Sequence, residues 1–262
     1  MKDPLLLIAI LSASFYVFGY FRLPFVYAGL ALQLAYLFLR GLDLERLPLV
    51  GPHDTLFFLS ASIVLFAMPV ASKMKDRQKF LYSVIAMSVF FIFISLLYRP
   101  HDSPLPPVLR TFWFETHVAF SFFSYALFGI AAILGILYLL NERNRYLSEN
   151  SSSRPFAEVG AGGLQLIESL QYKTILVGYF LFSAAMVFGG IWAYLAWGTY
   201  WLWTPKELWT VILWLFYSLY LHTRLRHWWQ GKPSVLLGVI GFGIVMFTYL
   251  GVSLLMKSSH AF

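Results

Sequence analysis

The sequence predicts an all-α fold: a polytopic transmembrane helix bundle of about eight spans, with both termini on the outer side. Two observations carry this. Of 262 residues, 60% are apolar and 12% charged, against roughly 45–50% and roughly 25% in soluble domains. The charges are also clustered, so uncharged runs near the roughly 20 residues that cross a bilayer alternate with short charged punctuation. Strands have no place, because open sheet edges are not tolerated in lipid. A zero cysteine count excludes a disulfide scaffold.

Uncharged runs place helices at about 5–21, 25–39, 55–71, 80–98, 113–140, 174–196, 208–223 and 234–256. The first two are short and separated only by Phe21, Arg22, Leu23 and Pro24, which suits a tight helical hairpin. The charged start resembles a signal peptide, but no small-residue cleavage site precedes a polar mature sequence, so it reads as a retained span. Residues 141–173 form the longest polar stretch and read as a cytoplasmic linker, with room for a short interfacial helix over 155–172. The chain thus divides into 1–140 with about five spans, the linker, and 174–262 with the last three. No internal repeat is visible.

Orientation follows from the basic residues of the connections. Arg22, Lys73, Lys75, Arg77, Lys79, Arg143, Arg145, Arg154, Lys173, Arg224, Arg226 and Lys232 fall on one side, which is therefore cytoplasmic. Lys2, Arg40, Arg46, Arg99, Arg110, Lys206 and Lys257 fall on the other. The net charge of +7 reads as anchoring to the inner leaflet of the lipid bilayer. No basic face for nucleic acid exists, since that footprint concentrates charge on one soluble surface.

Residues 197–209 read WGTYWLWTPKELW, holding four of the nine tryptophans. Two readings fit. Trp and Tyr gather at both membrane interfaces as a belt. Alternatively, the rings form an aromatic platform for a large planar apolar ligand, with indole N–H donors. Gly198 then allows close backbone approach, and Pro205 opens the next helix.

This segment resembles the tryptophan-rich WWD signature of haem-handling proteins, above all the CcsA/ResC family of System II cytochrome c biogenesis, with its pattern W-G-x-Y-W-x-W-D-P-K-E-x-W. Trp197, Gly198, Tyr200, Trp201, Trp203, Pro205, Lys206, Glu207 and Trp209 match it. Downstream, Leu221-His222-Thr223-Arg224 resembles the family's Leu-His-Thr-Arg, and Thr248 to Val252 with Ser259-His260 resembles its C-terminal stretch. The likeness is strong over 117–262. One position departs: the family's Asp is Thr204, which bonds hydrogen but carries no charge.

Six histidines need sorting. From residue type alone, His117 is a helix-start polar residue or a ligand, and His260 a tail residue or a ligand. The resemblance implies that both are axial ligands of haem iron, histidine being one such ligand type. His222 lies near the inner end of the seventh run, where an ionisable residue is a functional candidate or snorkels beside Arg224. The resemblance makes it a ligand of a second, intramembrane haem, whose companion histidine comes from a CcsB/ResB-type partner. His53 and His101 read as solvated turn residues on the side where ligands would stand. His227 reads as an inner interfacial anchor.

The resemblance therefore implies a membrane subunit of a holocytochrome c synthase (haem lyase) in the bacterial inner membrane, its tryptophan segment on the periplasmic side. It would bind haem b non-covalently, carry it outward, and present it for thioether attachment to an apocytochrome c bearing Cys-x-x-Cys-His. Two other readings stay open: a HemX-like non-catalytic haem-binding or regulatory protein, which Thr204 favours, and a transporter of another hydrophobic solute.

Overall fold

The computed structural model describes residues 3–74, 77–149 and 161–255. It is helical, with no strand among those residues. The helices are α1 (Asp3–Phe18), α2 (Leu23–Leu44), α3 (Gly51–Ala71), α4 (Arg77–Leu97), α5 (Phe112–Glu149), α6 (Ala161–Trp197), α7 (Pro205–Leu225), α8 (Lys232–Met246) and the short α9 (Val252–Leu255). A 3₁₀ turn, Pro107–Leu109, precedes α5, and a wide π turn, Phe247–Gly251, joins α8 to α9.

Prolines start many of these helices, as their fixed φ and missing N–H suit a first turn: Pro24, Pro52, Pro205 and Pro233 each occupy the first or second position. Among the described residues, six helices are long and apolar enough to cross a membrane: α2, α3, α4, α5, α6 and α8 with its π turn. The chain is a polytopic membrane protein. Its bundle exposes Phe38, Phe90, Phe93, Val177, Phe180 and Leu215, a ring of large apolar side chains that lipid solvates and water would not. The expected first span is the shorter α1, of 16 residues. The expected seventh is α7, 21 residues long, whose Lys206, Glu207 and Arg224 lower its apolarity.

Neighbours in sequence pack as antiparallel pairs, α1 with α2, α3 with α4 and α5 with α6, and α5 is the hub that also touches α3, α4 and α8. The α1–α2 hairpin is sealed where the Tyr16 hydroxyl donates to the Gln33 carbonyl oxygen at 2.6 Å, and the Gln33 amide donates to the Phe57 carbonyl at 3.1 Å. Phe128 of α5 stacks on Tyr217 of α7 with centroids 3.9 Å apart. The Gln171 amide bridges the Ala131 and Val235 carbonyls, pinning α6 to α5 and α8.

Of the expected linker, 141–149 and 161–173 are described, and both are helix, the latter overlapping the short helix expected over 155–172. With 38 and 37 residues, α5 and α6 extend to about 57 Å at 1.5 Å per residue, beyond the roughly 30 Å hydrocarbon core. An apolar stripe explains the extension: Leu164, Ile167 and Leu170 are buried at helical spacing, and the adjoining Gln171 bonds to the Ala131 carbonyl of α5.

His53, expected in a solvated turn, is 1% exposed in the first turn of α3. Its Nδ1–H donates to the Ser95 carbonyl at 2.9 Å, so Nε2 accepts from the Tyr36 hydroxyl at 2.9 Å. Beside it, Arg40 Nε donates to Asp54 at 3.0 Å and Arg40 Nη1 to Asp102 at 2.7 Å. Burial of an ion is costly unless it is paired and hydrogen-bonded, and this cluster satisfies both demands.

Candidate functional site

The start of α5, the end of α6, the start of α7 and the π turn after α8 meet at one end of the bundle. The segment 98–111 crosses this end as a strap. Arg40 holds it through Asp102, and an Arg46 guanidinium N–H holds it through the His101 carbonyl at 3.1 Å. The Trp192 indole N–H holds it through the Val108 carbonyl at 2.8 Å. The Arg40 guanidinium beside Asp102 keeps that carboxyl below the usual carboxylate range, while burial draws Arg46 down.

His117 lies in the second turn of α5. Its Nδ1–H donates to the Ala185 carbonyl of α6 at 2.8 Å, which selects the tautomer with its lone pair on Nε2. Such a bond to the other ring nitrogen is how ligating histidines are oriented. The ring lies parallel to Trp192, 14° apart with centroids at 6.5 Å. Gly189 makes room for it: a Cβ there would come within 2.6 Å of Nδ1.

The 198–204 segment turns sharply, with Gly198 at φ 74° and Trp203 at φ 57°. Its rings form a folded aromatic surface rather than a flat sheet. Trp197 meets Trp192 edge-on at 4.8 Å, Tyr200 stacks on Tyr194 at 4.6 Å, and Trp201 and Trp203 are inclined by 75°. Trp203 and Tyr200 are exposed, and Trp209 packs edge-on against Phe247 of the π turn at 4.5 Å.

Thr204 explains itself locally. It is the N-cap of α7 and forms a capping box: its hydroxyl accepts from the Glu207 backbone N–H, and the Glu207 carboxylate accepts from the Thr204 N–H at 2.9 Å. That carboxylate also accepts from the Leu202 N–H at 3.0 Å. Asp and Thr are both good N-caps, so Thr can stand where the resembling family has Asp without loss of the turn.

Two adjoining cavities open between α5, α6 and α7, of ≈ 170 and ≈ 130 Å³. Both are walled by His117, Met186, Lys206 and Thr210; the smaller is also lined by Trp192, Tyr200 and Trp201. Each lies below the roughly 300 Å³ at which small-molecule sites begin. A large ring therefore exceeds either cavity taken singly. Tyr249 lines the larger one and donates to the Thr55 hydroxyl at 2.6 Å, since Thr55 itself donates to the Gly51 carbonyl.

The structure thus brings His117, Tyr200, Trp201 and the start of α7 around one cavity pair, while Trp197, Gly198, Trp203, Pro205 and Trp209 line neither cavity. His222 stands elsewhere. It lies 17 residues after Pro205 on α7, about 25 Å away, exposed on the bundle's outer face and edge-on to Trp228 at 5.4 Å. At that far end Arg224 pairs with Glu168, which also accepts from the Gly231 N–H at 2.7 Å. His260 lies outside the described residues. Sequence reasoning missed Gly189, Met186 and Trp192. The Gly189-Gly190 pair inside an apolar helical run was the available signal, because such glycines have a packing reason.

An all-α membrane bundle with a histidine and a tryptophan segment around one end cavity defines a class, and the comparisons name the family. The family described as Cytochrome C assembly protein matches residues 50–260. The chain is 32% identical over 267 residues to the cytochrome c biogenesis protein CcsA of Prochlorococcus marinus (strain MIT 9301), covering 92% of this chain and 84% of the relative. With CcsA of Mesostigma viride the figures are 31% over 245 residues, 86% and 80%. With CcsA of Parasynechococcus marenigrum (strain WH8102) they are 39% over 177 residues, 61% of this chain and 58% of the relative. The chain belongs to the cytochrome c assembly protein family. The match begins at residue 50, so α3 and α4 share in it as well as the later helices.

Proposed function

We propose that this chain is the haem-handling membrane subunit of a cytochrome c synthase. It binds haem b non-covalently, moves it to the outer face of a bacterial inner membrane and presents it to apocytochrome c. The observation that carries the reading is His117, held by Ala185 with its lone pair on Nε2 at the wall of a cavity bordered by the tryptophan segment. The residues present fit an iron porphyrin in chemistry: a neutral imidazole for the metal, aromatic walls for the ring, and a buried Trp201 indole N–H that has no partner.

In this reading His117 and His260 would hold the iron, Trp192 fixes the plane of the His117 ring, and the 198–204 segment would offer aromatic surface to the macrocycle. Bound haem would supply vinyl groups, and each thiol of a Cys-x-x-Cys-His segment would add across one, its S–H bond and the vinyl π bond giving way to one S–C and one C–H bond. The protein orients the ring and excludes water, while the cofactor and the thiols carry the reacting atoms. His222 serves as the inner ligand; its exposed, outward position leaves it accessible to a CcsB/ResB-type partner's histidine. The count of basic residues in the connections supports a tryptophan end on the outer side, with both termini there. The helices α1 to α4 act as scaffold, and 141–173 lies on the cytoplasmic side.

The test is purification of the protein in detergent with and without His117→Ala, co-expressed with a ResB-type partner and an apocytochrome. Wild type is expected to carry a histidine-ligated haem spectrum and to yield covalent cytochrome, and the variant to lose both. Wild-type haem content and coordination in the variant would sink the reading. Haem binding without any covalent product from the native proteins would turn it toward the HemX-like alternative.

A further inference from the structure

Two donors at the cavity pair have no protein acceptor among the described residues. Lys206, in the first turn of α7, lines both cavities, and no hydrogen bond or ion pair engages its ammonium among the described residues. The adjacent carboxylate does not neutralise it: Glu207 is turned back onto the Leu202 and Thr204 backbone N–H groups. Trp201 contributes the second donor. Its indole Nε1 is buried without a hydrogen-bond partner, and the residue lines the smaller cavity beside Lys206. A buried unpaired donor is costly, and the Trp201 N–H stands beside a part-buried ammonium with no protein partner among the described residues, an arrangement that suits an acceptor arriving from outside.

We propose that Lys206 and Trp201 form a carboxylate clamp that takes the acidic edge of the bound ring and so sets which edge of it faces the thiols. This rests on the haem reading above and adds to it. Both groups donate and neither accepts, and the charge of the ammonium favours an anionic acceptor. Protoporphyrin is asymmetric, with two propionates on one edge and the vinyls elsewhere. A ligand bond to His117 fixes its distance but leaves rotation about the Fe–N axis open. An ammonium and an N–H to one side remove that freedom. Thr210, on the wall of both cavities, already donates to the Lys206 carbonyl at 2.8 Å, so its proton is not a third donor.

The experiment titrates haem-depleted, purified protein in detergent with ferric protoporphyrin IX and, separately, with its dimethyl ester, whose propionates carry no charge. Wild type should bind the free acid at least about tenfold more tightly, the size expected of one charge-assisted hydrogen bond. Lys206→Met should lose that preference by weakening the acid alone, Lys206→Arg should keep most of it, and Trp201→Phe should lose part. Ester binding common to all four proteins shows that they are folded. Equal affinity of wild type for acid and ester, with a retained histidine-ligated spectrum, would overturn the clamp while leaving the haem reading intact. Failure of wild type to bind either porphyrin would remove both.

Discussion

Gly189→Ala isolates the contact on which the site geometry turns. The added Cβ would lie 2.6 Å from His117 Nδ1 and 2.8 Å from Cε1, inside any van der Waals separation. The imidazole must therefore retreat by most of an ångström, and its 2.8 Å bond to the Ala185 carbonyl is lost or bent. Losing that bond costs about 1 kcal/mol and overpacking about 1–3 kcal/mol. Alanine returns about 1 kcal/mol of helix propensity in α6. Net destabilisation of about 1–3 kcal/mol should leave the protein folded, with thermal unfolding lowered by a few degrees, while the Nε2 lone pair is re-aimed and the tautomer no longer held. The assay pairs thermal unfolding in detergent with the absorption spectrum of the purified protein. Expected is a loss of histidine-ligated haem out of proportion to the loss of stability. A spectrum and haem content equal to wild type would refute the claim that the glycine makes room for an oriented imidazole.

Three further outcomes follow from the same coordinates. Thr204→Ala should cost about 1 kcal/mol through loss of the cap, whereas Thr204→Asp should match or exceed wild type in thermal unfolding, since an acid at a helix start adds about 0.3–1 kcal/mol. Removing one partner of the Arg40–Asp54 pair, whose side chains are 4% and 0% exposed, as in Asp54→Asn, should cost about 3–5 kcal/mol and reduce the yield of folded protein; unchanged unfolding would contradict the pairing. Asp102, held below its ordinary pKa by Arg40, stabilises the fold above the unfolded value of about 3.9, and that contribution is lost as pH falls through the lower, folded value. Asp102→Asn should therefore show a flatter fall in stability below about pH 4 than wild type, with unchanged slope as the contrary result.

The fold was legible where the bilayer imposes it. Long uncharged runs mark α2 to α6 and α8, because a spanning backbone must satisfy its own hydrogen bonds. Legibility failed where burial is by protein instead. The stretch 161–173 looked like linker since its apolar residues are interspersed with Glu168 and Lys173, yet Leu164, Ile167 and Leu170 face α5. His53 looked like a turn residue beside Gly51-Pro52, but that dipeptide opens a helix and rotates the imidazole inward to Tyr36 and Ser95. At the candidate site the motif named the residues of the tryptophan segment, and His117 emerged with them. Gly189 and Trp192 act through distance and ring plane, which no spacing encodes. Lys206 was visible as a motif letter only; its solitude depends on where Glu207 points.

The 98–111 strap changes how the chain's parts should be divided. The family match starts at residue 50, and a chain trimmed to that point would keep every motif residue. It would also lose Arg40 and Arg46, the two guanidiniums that tether the strap at Asp102 and His101, leaving the Trp192 indole to hold it through Val108. The ring beside His117 would then be moored to a slack cable. The helical hairpin that precedes the match belongs to the working end of the molecule, and an excised version lacking it should be judged as a damaged protein rather than a minimal one.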